Sequence, residues 1–257
     1  MLPVYSISKP FLSQAILELG LDLSSVIGEF VPDLASVYKS RTVASLLNHT
    51  SGLNDYSQLT EYNQAVANAE PAWAISDLLS RCEHLPHQRI GFHYSNIGYL
   101  LLRQAMEIGT GLGYFQSLQQ LVFQPLGITG FAEWAKPHSA VPNYDPAWVY
   151  SGTFLAQPKA IAPALAKLAK HRATTLGLAA GLIDVPYPNT GFEQPGYNFG
   201  FMTNGNPPTE VGHGGGGPGF QLMAMVNTST WAADVEISQT GDFDQATAIR
   251  ALKARLA

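Results

Sequence analysis

The chain has 257 residues, 46% hydrophobic and 13% charged, enough apolar material to bury one large core or two smaller ones. Its net charge is −5 and its 14 Lys and Arg form no basic cluster, which argues against a nucleic-acid partner. The single Cys82 excludes an internal disulfide, and no apolar run is long enough to cross a bilayer.

In chain order, Phe11, Leu12, Ala15, Ile16 and Leu19 predict an amphipathic helix ending at Gly20. Ser6 falls at or just inside its N-terminus, and Lys9, three residues on, shares its face. A hydroxyl, an amine one turn away and a positive helix end form a candidate activated nucleophile. A second S-x-x-K, Ser36 to Lys39, follows a Pro-Asp pair and opens no long apolar helix, so it reads as a surface turn. Residues 42–48 predict a short helix with Thr42 as N-cap, stopped by the polar turn His49-Thr50-Ser51-Gly52.

Residues 57–85 read as helix with polar interruptions and 86–91 as a loop. Helices are expected at 97–109, entered from Tyr94-Ser95-Asn96, and at 114–123. A Pro- and Tyr-rich loop covers 133–154, and 158–172 is a helix with Pro in its first turn. Strands are then predicted at 197–203, 209–213, 220–227 and 232–239, before a closing helix at 242–256. This order argues for an α+β fold, with a helical region over 1–155 and a sheet-bearing region over 156–257.

Three short motifs carry chemistry: Ser6-x-x-Lys9, Tyr94-x-Asn96 and His213-Gly214-Gly215. Each has a bland reading. A Tyr and an Asn at a helix entrance are commonly a packed ring and an N-cap, and a second Y-x-N, Tyr187 to Asn189, encloses a proline and reads as a turn. Glycines 214–217 could be a plain connector, yet they sit between two predicted strands where a hairpin needs only a few residues. Glycines there let backbone approach a ligand and leave N–H groups free for an oxyanion. No G-x-S-x-G elbow, no P-loop and no dinucleotide fingerprint between strand and helix occurs. His84, His87 and His93 cluster, but the proline between the first two argues for loop histidines over a metal centre. Asp55, Asp145 and Asp184 fall in loops and are given no role.

The ordered set S-x-x-K, Y-x-N, H-G-G resembles the serine β-lactamase and penicillin-binding-protein superfamily, in its class C β-lactamase-like branch of esterases and D-amino-acid peptidases. The flanks Leu46 to Leu53, Phe92 to Tyr99, Pro125 to Ile128 and Gly212 to Phe220 add to the likeness, which spans residues 4 to about 230. It implies a β-lactamase/transpeptidase-like fold, an antiparallel sheet flanked by helices, and an acyl-enzyme on Ser6 without cofactor. Lys9 and Tyr94 would share the proton of Ser6, with Tyr94 as phenolate base. Asn96 would orient the acyl group and bond Lys9. His213 would hold a substrate carboxylate or the Tyr94 hydroxyl. The oxyanion would meet the N–H groups of Ser6 and Gly216 beside Gly214 and Gly215. The substrate would be a small ester, a D-amino-acyl peptide or a β-lactam, within walls from residues 53–63, 133–154 and 185–196.

Two departures from the family pattern stand out. Pro10 follows Lys9 directly, removing an N–H and biasing Lys9 away from helical angles. Family members also carry strands ahead of the nucleophile, whereas Ser6 lies five residues from the first residue here. The expectation is a sheet reduced to its three C-terminal strands, with 232–239 as an exposed edge that promotes homo-oligomers. A missing upstream segment would hold any signal for periplasmic or secreted localisation. The non-enzyme alternative is a catalytically impaired binding or sensor module of penicillin-binding type.

Overall fold

The computed structural model describes residues 1–86, 91–239 and 241–257. His87, with most of the predicted 86–91 loop, lies outside the described residues. The helices are α1 (Ser8–Glu18), α2 (Ser36–Lys39), α3 (Val43–Leu47), α4 (Thr60–Ala67), α5 (Ile75–Cys82), α6 (Asn96–Thr110), α7 (Tyr114–Leu118), α8 (Pro158–Thr175) and α9 (Gln245–Leu256). The strands are β1 (Leu2–Pro3), β2 (Phe131–Ala132), β3 (Leu155–Ala156), β4 (Ile183–Asp184), β5 (Pro195–Asn198), β6 (Phe201–Asn204), β7 (Glu210–Gly217), β8 (Phe220–Asn227) and β9 (Ala233–Ser238). Strands β4 to β9 form one antiparallel sheet in chain order, and β1, β3 and β2 form a small second sheet. This is the α+β, β-lactamase/transpeptidase-like architecture, with helices against both faces of the main sheet.

Period-two alternation in β8 sorts the two faces. Leu222, Ala224 and Val226 enter the main core, which runs from Val4 and Phe11 through Leu100 and Leu165. Met223 and Met225 point the other way, onto Ile249 and Leu252 of α9. Helix α9 begins at Asp244, whose carboxylate accepts the N–H groups of Ala246 and Thr247. Pro10 is accommodated because it sits in the first turn of α1, where N–H groups lack intrahelical partners.

Several expectations are corrected. The main sheet has six strands, not three; β9 does lie at its edge, bonded to β8. The stretch predicted as one strand, 197–203, is the hairpin β5–β6, turning at Phe199 and Gly200. Gly200 has a φ of 96°, and a side chain there would press on Ser13 and Pro10, so the turn is docked against α1. Ser36 to Lys39 form a short helix, α2, because residues 36–39 close one helical turn onto Ala35. The predicted 114–123 helix widens after Leu118 into a π turn, Gln119–Phe123.

The largest correction concerns the glycines. Strand β7 runs straight through Gly214 to Gly217, and the turn to β8 is only Pro218-Gly219. Side chains are missing there because the strand lies directly on the turn of 3-10 helix that carries Ser6, Tyr5–Ile7. A Cβ on Gly215 would collide with the Val4 carbonyl, and one on Gly217 with the ring of Tyr5. Gly215→Ala is therefore expected to destabilise the fold by about 3 kcal/mol, because backbone on both sides cannot give way. A denaturant melt with an unchanged midpoint would contradict this packing.

Candidate active site

Tyr5, the residue before Ser6, has a φ of 47°, a costly conformation for a bulky side chain. Its ring lies over Gly217 and its hydroxyl donates to the Pro218 carbonyl, so β7 clamps the residue that presents Ser6. Ser6 sits within the 3-10 turn, just ahead of α1, and Lys9 follows one turn later, fully buried. Lys9 Nζ is 3.1 Å from Ser6 Oγ, 2.6 Å from Asn96 Oδ1 and 3.5 Å from Ser151 Oγ. Tyr94 donates its hydroxyl to Ser6 Oγ at 3.0 Å. Ser6, Lys9, Tyr94 and Asn96 thus converge on one hydroxyl from segments up to 90 residues apart in the chain.

Burial shifts the two groups around Ser6 in ways that favour their neutral forms. Burial lowers Lys9 to about 7, opposed by the negative charge of Asp55. Burial pushes the Tyr94 phenol far above its ordinary value, more than its bond with Ser6 brings it down. The phenol therefore stays protonated and its hydroxyl donates to Ser6 Oγ, while the Lys9 amine is partly deprotonated at neutral pH. Desolvation thus disfavours the phenolate form that the family likeness implied for Tyr94.

Asn96 faces Lys9 and does not line the cavity. Behind it stands Asp55, a residue with no assigned role at the level of sequence. Its buried carboxylate accepts the N–H of Asn96 at 2.5 Å and that of Ser57 at 2.8 Å, capping α6 and raising the Lys9 pKa. Its bond to Ser57 is a local cap, but the contacts that tie it to Asn96 and Lys9 come from elsewhere in the chain. Asp55→Asn should move the acid limb of kcat/KM to lower pH, because the charge that favours protonated Lys9 is gone. An unmoved limb would show that the carboxylate only caps.

His213 is placed differently from the expectation. Its Nδ1 faces the Gly214 carbonyl at 2.6 Å and must donate, leaving Nε2 to accept from Tyr197 Oη at 3.2 Å. Tyr197 in turn lies 3.2 Å from Nε2 of His49, whose Nδ1 accepts the Ser95 N–H at 3.1 Å. Burial lowers His213 to about 3 and His49 well below its ordinary value, so both rings are neutral. His213 consequently has neither a charge nor a free nitrogen for a carboxylate or for Tyr94, whose ring centroid is 6.2 Å away. His49 and Tyr197 are further residues that sequence reasoning passed over.

A cavity of about 410 Å³ opens over Ser6, Tyr94 and His213, with Gly214, Gly215 and Gly216 along one side. Of the three predicted wall segments only 185–196 borders it. Residues 53–63 instead bury Tyr56 and Tyr62 in an aromatic cluster with Trp148 and Tyr150, and 133–154 border a separate 280 Å³ cavity. Strand β6 pairs with β7 only as far as Gly212, so the β7 edge beyond it faces the cavity without a strand partner. Among the described residues no group of three or more His, Cys, Asp or Glu is arranged to hold a metal ion, and no helix is long and apolar enough to cross a membrane.

Comparison with known proteins agrees with this architecture. A curated relative, penicillin-binding protein 4* of Bacillus subtilis (strain 168), is 29% identical over 136 residues, 48% of this chain and 28% of that protein. The aligned stretch is thus little more than a quarter of that relative's length. Among solved structures, a D-stereospecific amidohydrolase from Streptomyces sp. superposes with a TM-score of 0.76 at 20% identity, covering 100% of this chain and 87% of the other. D-amino acid amidase from Ochrobactrum anthropi SV3 superposes with a TM-score of 0.75 at 22% identity, covering 98% and 91%. The octameric penicillin-binding protein homologue from Pyrococcus abyssi gives 0.70 at 19%, covering 99% and 65%. The Beta-lactamase family model matches residues 1–252, nearly the whole length, and the chain belongs to the beta-lactamase family.

Proposed function

We propose that the protein is a serine acyl-hydrolase that works through an acyl-enzyme on Ser6. The observation that carries this reading is the position of Ser6 Oγ, 3.1 Å from Lys9 Nζ and 3.0 Å from Tyr94 Oη beneath an open cavity. Neutral Lys9 accepts the Ser6 proton as Oγ attacks the acyl carbon, while the N–H groups of Ser6 and Gly216 stabilise the oxyanion. The C–O or C–N bond to the leaving group then breaks, and the leaving group departs with the proton held by Lys9. Water attacks the ester so formed, gives its proton to Lys9, and releases the acid as Ser6 Oγ is reprotonated. Tyr94 donates to Oγ and relays the proton toward the leaving group; Asn96 fixes Lys9, and His213 shapes the wall beside Gly214 and Gly215.

The Streptomyces and Ochrobactrum proteins are named for D-stereospecific amide hydrolysis, which supports esters and amides as the substrate class. The test is incubation with a fluorophosphonate probe, followed by intact mass and peptide mapping. One adduct per chain, on Ser6, is expected. An adduct on the neighbouring Ser8, whose hydroxyl donates to the Gly152 carbonyl at 2.7 Å, would overturn the assignment. Labelling without turnover of any ester or amide would favour a binding or sensor module.

A further inference from the structure

A carboxylate carried into an apolar cavity needs a cation or a dense set of donors. Among the described residues bordering this cavity there is no Lys or Arg, and the one histidine, His213, is neutral with both nitrogens engaged. Lys9 is held behind Ser6 by Asn96 and Ser151. The walls are Phe92, Val185, Tyr187, Phe192, Met202 and Phe243. Phe92 and Tyr187 meet edge to face with ring centroids 5.7 Å apart, leaving an aromatic shelf at the mouth.

The polar side chains added to this shelf are uncharged amides. Gln221 lies against Gly216 and Gln245 against Gly214, so that a Cβ on either glycine would strike the amide oxygen. Beyond them the chain neighbours of the wall residues are acidic: Asp184 precedes Val185, and Asp242 and Asp244 flank Phe243. Among the described residues, the cations of the helix that carries Gln245 are paired with carboxylates, Lys253 with Glu193 and Arg250 with Asp244.

We infer that the site selects an uncharged ester or amide bearing an aromatic or branched apolar acyl group, and discriminates against substrates with a free carboxylate on the acyl part. This inference rests on the reading of Ser6 as nucleophile. Selection works by exclusion: an anion entering here exchanges its water for neutral amide, hydroxyl and backbone donors and meets no cation among the described lining residues, whereas an aryl group gains contact with the aromatic wall.

The experiment compares two esters that differ by one carboxylate, 4-nitrophenyl phenylacetate and 4-nitrophenyl 4-carboxyphenylacetate, alongside fluorophosphonate labelling. The neutral ester is expected to show a kcat/KM about 100-fold higher, the size of a penalty for an unpaired buried charge. Gln245→Lys, at an exposed position beside Gly214, should narrow that ratio at least tenfold by supplying the absent cation. Equal kcat/KM values, or a preference for the carboxylate, with Ser6 labelled normally would overturn the selectivity alone. Absence of both labelling and turnover would overturn the nucleophile reading and this inference with it.

Discussion

Ser6→Ala is expected to lower kcat by about four to six orders of magnitude and to abolish fluorophosphonate labelling, while leaving the fold intact. The loss is large because Lys9 and Tyr94 act only through the Ser6 hydroxyl, so removing it idles all three. The structural cost is small: the Lys9–Asn96 bond and the packing of Tyr5 on Gly217 do not involve the Ser6 side chain. A change in folding free energy below about 1 kcal/mol is anticipated. Wild-type turnover in the variant would point to another nucleophile, and Ser8 would be the first to examine.

Lys9→Met should lower kcat/KM by about three to four orders of magnitude, the upper range for loss of a positioned base. The wild-type profile gives the companion measurement. Burial brings Lys9 down from 10.5 to about 7, so activity should rise with pH through about 7 as the amine loses its proton, then reach a plateau. Tyr94, held protonated by burial, adds no alkaline limb in the accessible range. The stability sign follows from the same shift. Between about 7 and 10.5 the unfolded chain holds a proton on Lys9 that the native state does not, so this residue makes stability rise with pH across that window. The stabilisation of Lys9→Met over wild type should accordingly be greatest below pH 7 and fade towards 10.5. An acid limb near 7 that survives in the variant would assign the base to another group.

The Asp55 and His213 findings bear on how such a site stays poised. Asp55 opposes the desolvation of Lys9 from behind Asn96, so the amine titrates near neutrality instead of lower still. The neutral His213, tied to Tyr197 and through it to His49, adds no second positive charge beside Lys9. A charged ring there would depress the Lys9 pKa further.

What the sequence determined by itself is local and ordered. The spacing of Phe11, Leu12, Ala15 and Ile16 specified α1, an apolar run between turn residues specified β8, and three short motifs with their flanks specified the family. The glycine run was visible, but its meaning was not: only packing against Val4 and Tyr5 makes Gly214 to Gly217 a strand. Burial was likewise invisible, and burial brings the Lys9 amine down to about 7 and keeps the Tyr94 phenol protonated. Asp55, His49 and Tyr197 were not legible as site residues because the bonds that draw them there, Asp55 to Asn96 and His49 to Tyr197, span 41 and 148 residues. Periodicity and motif order are properties of neighbours along the chain, whereas dielectric environment and hydrogen-bond partnership exist only once distant segments have closed around one another.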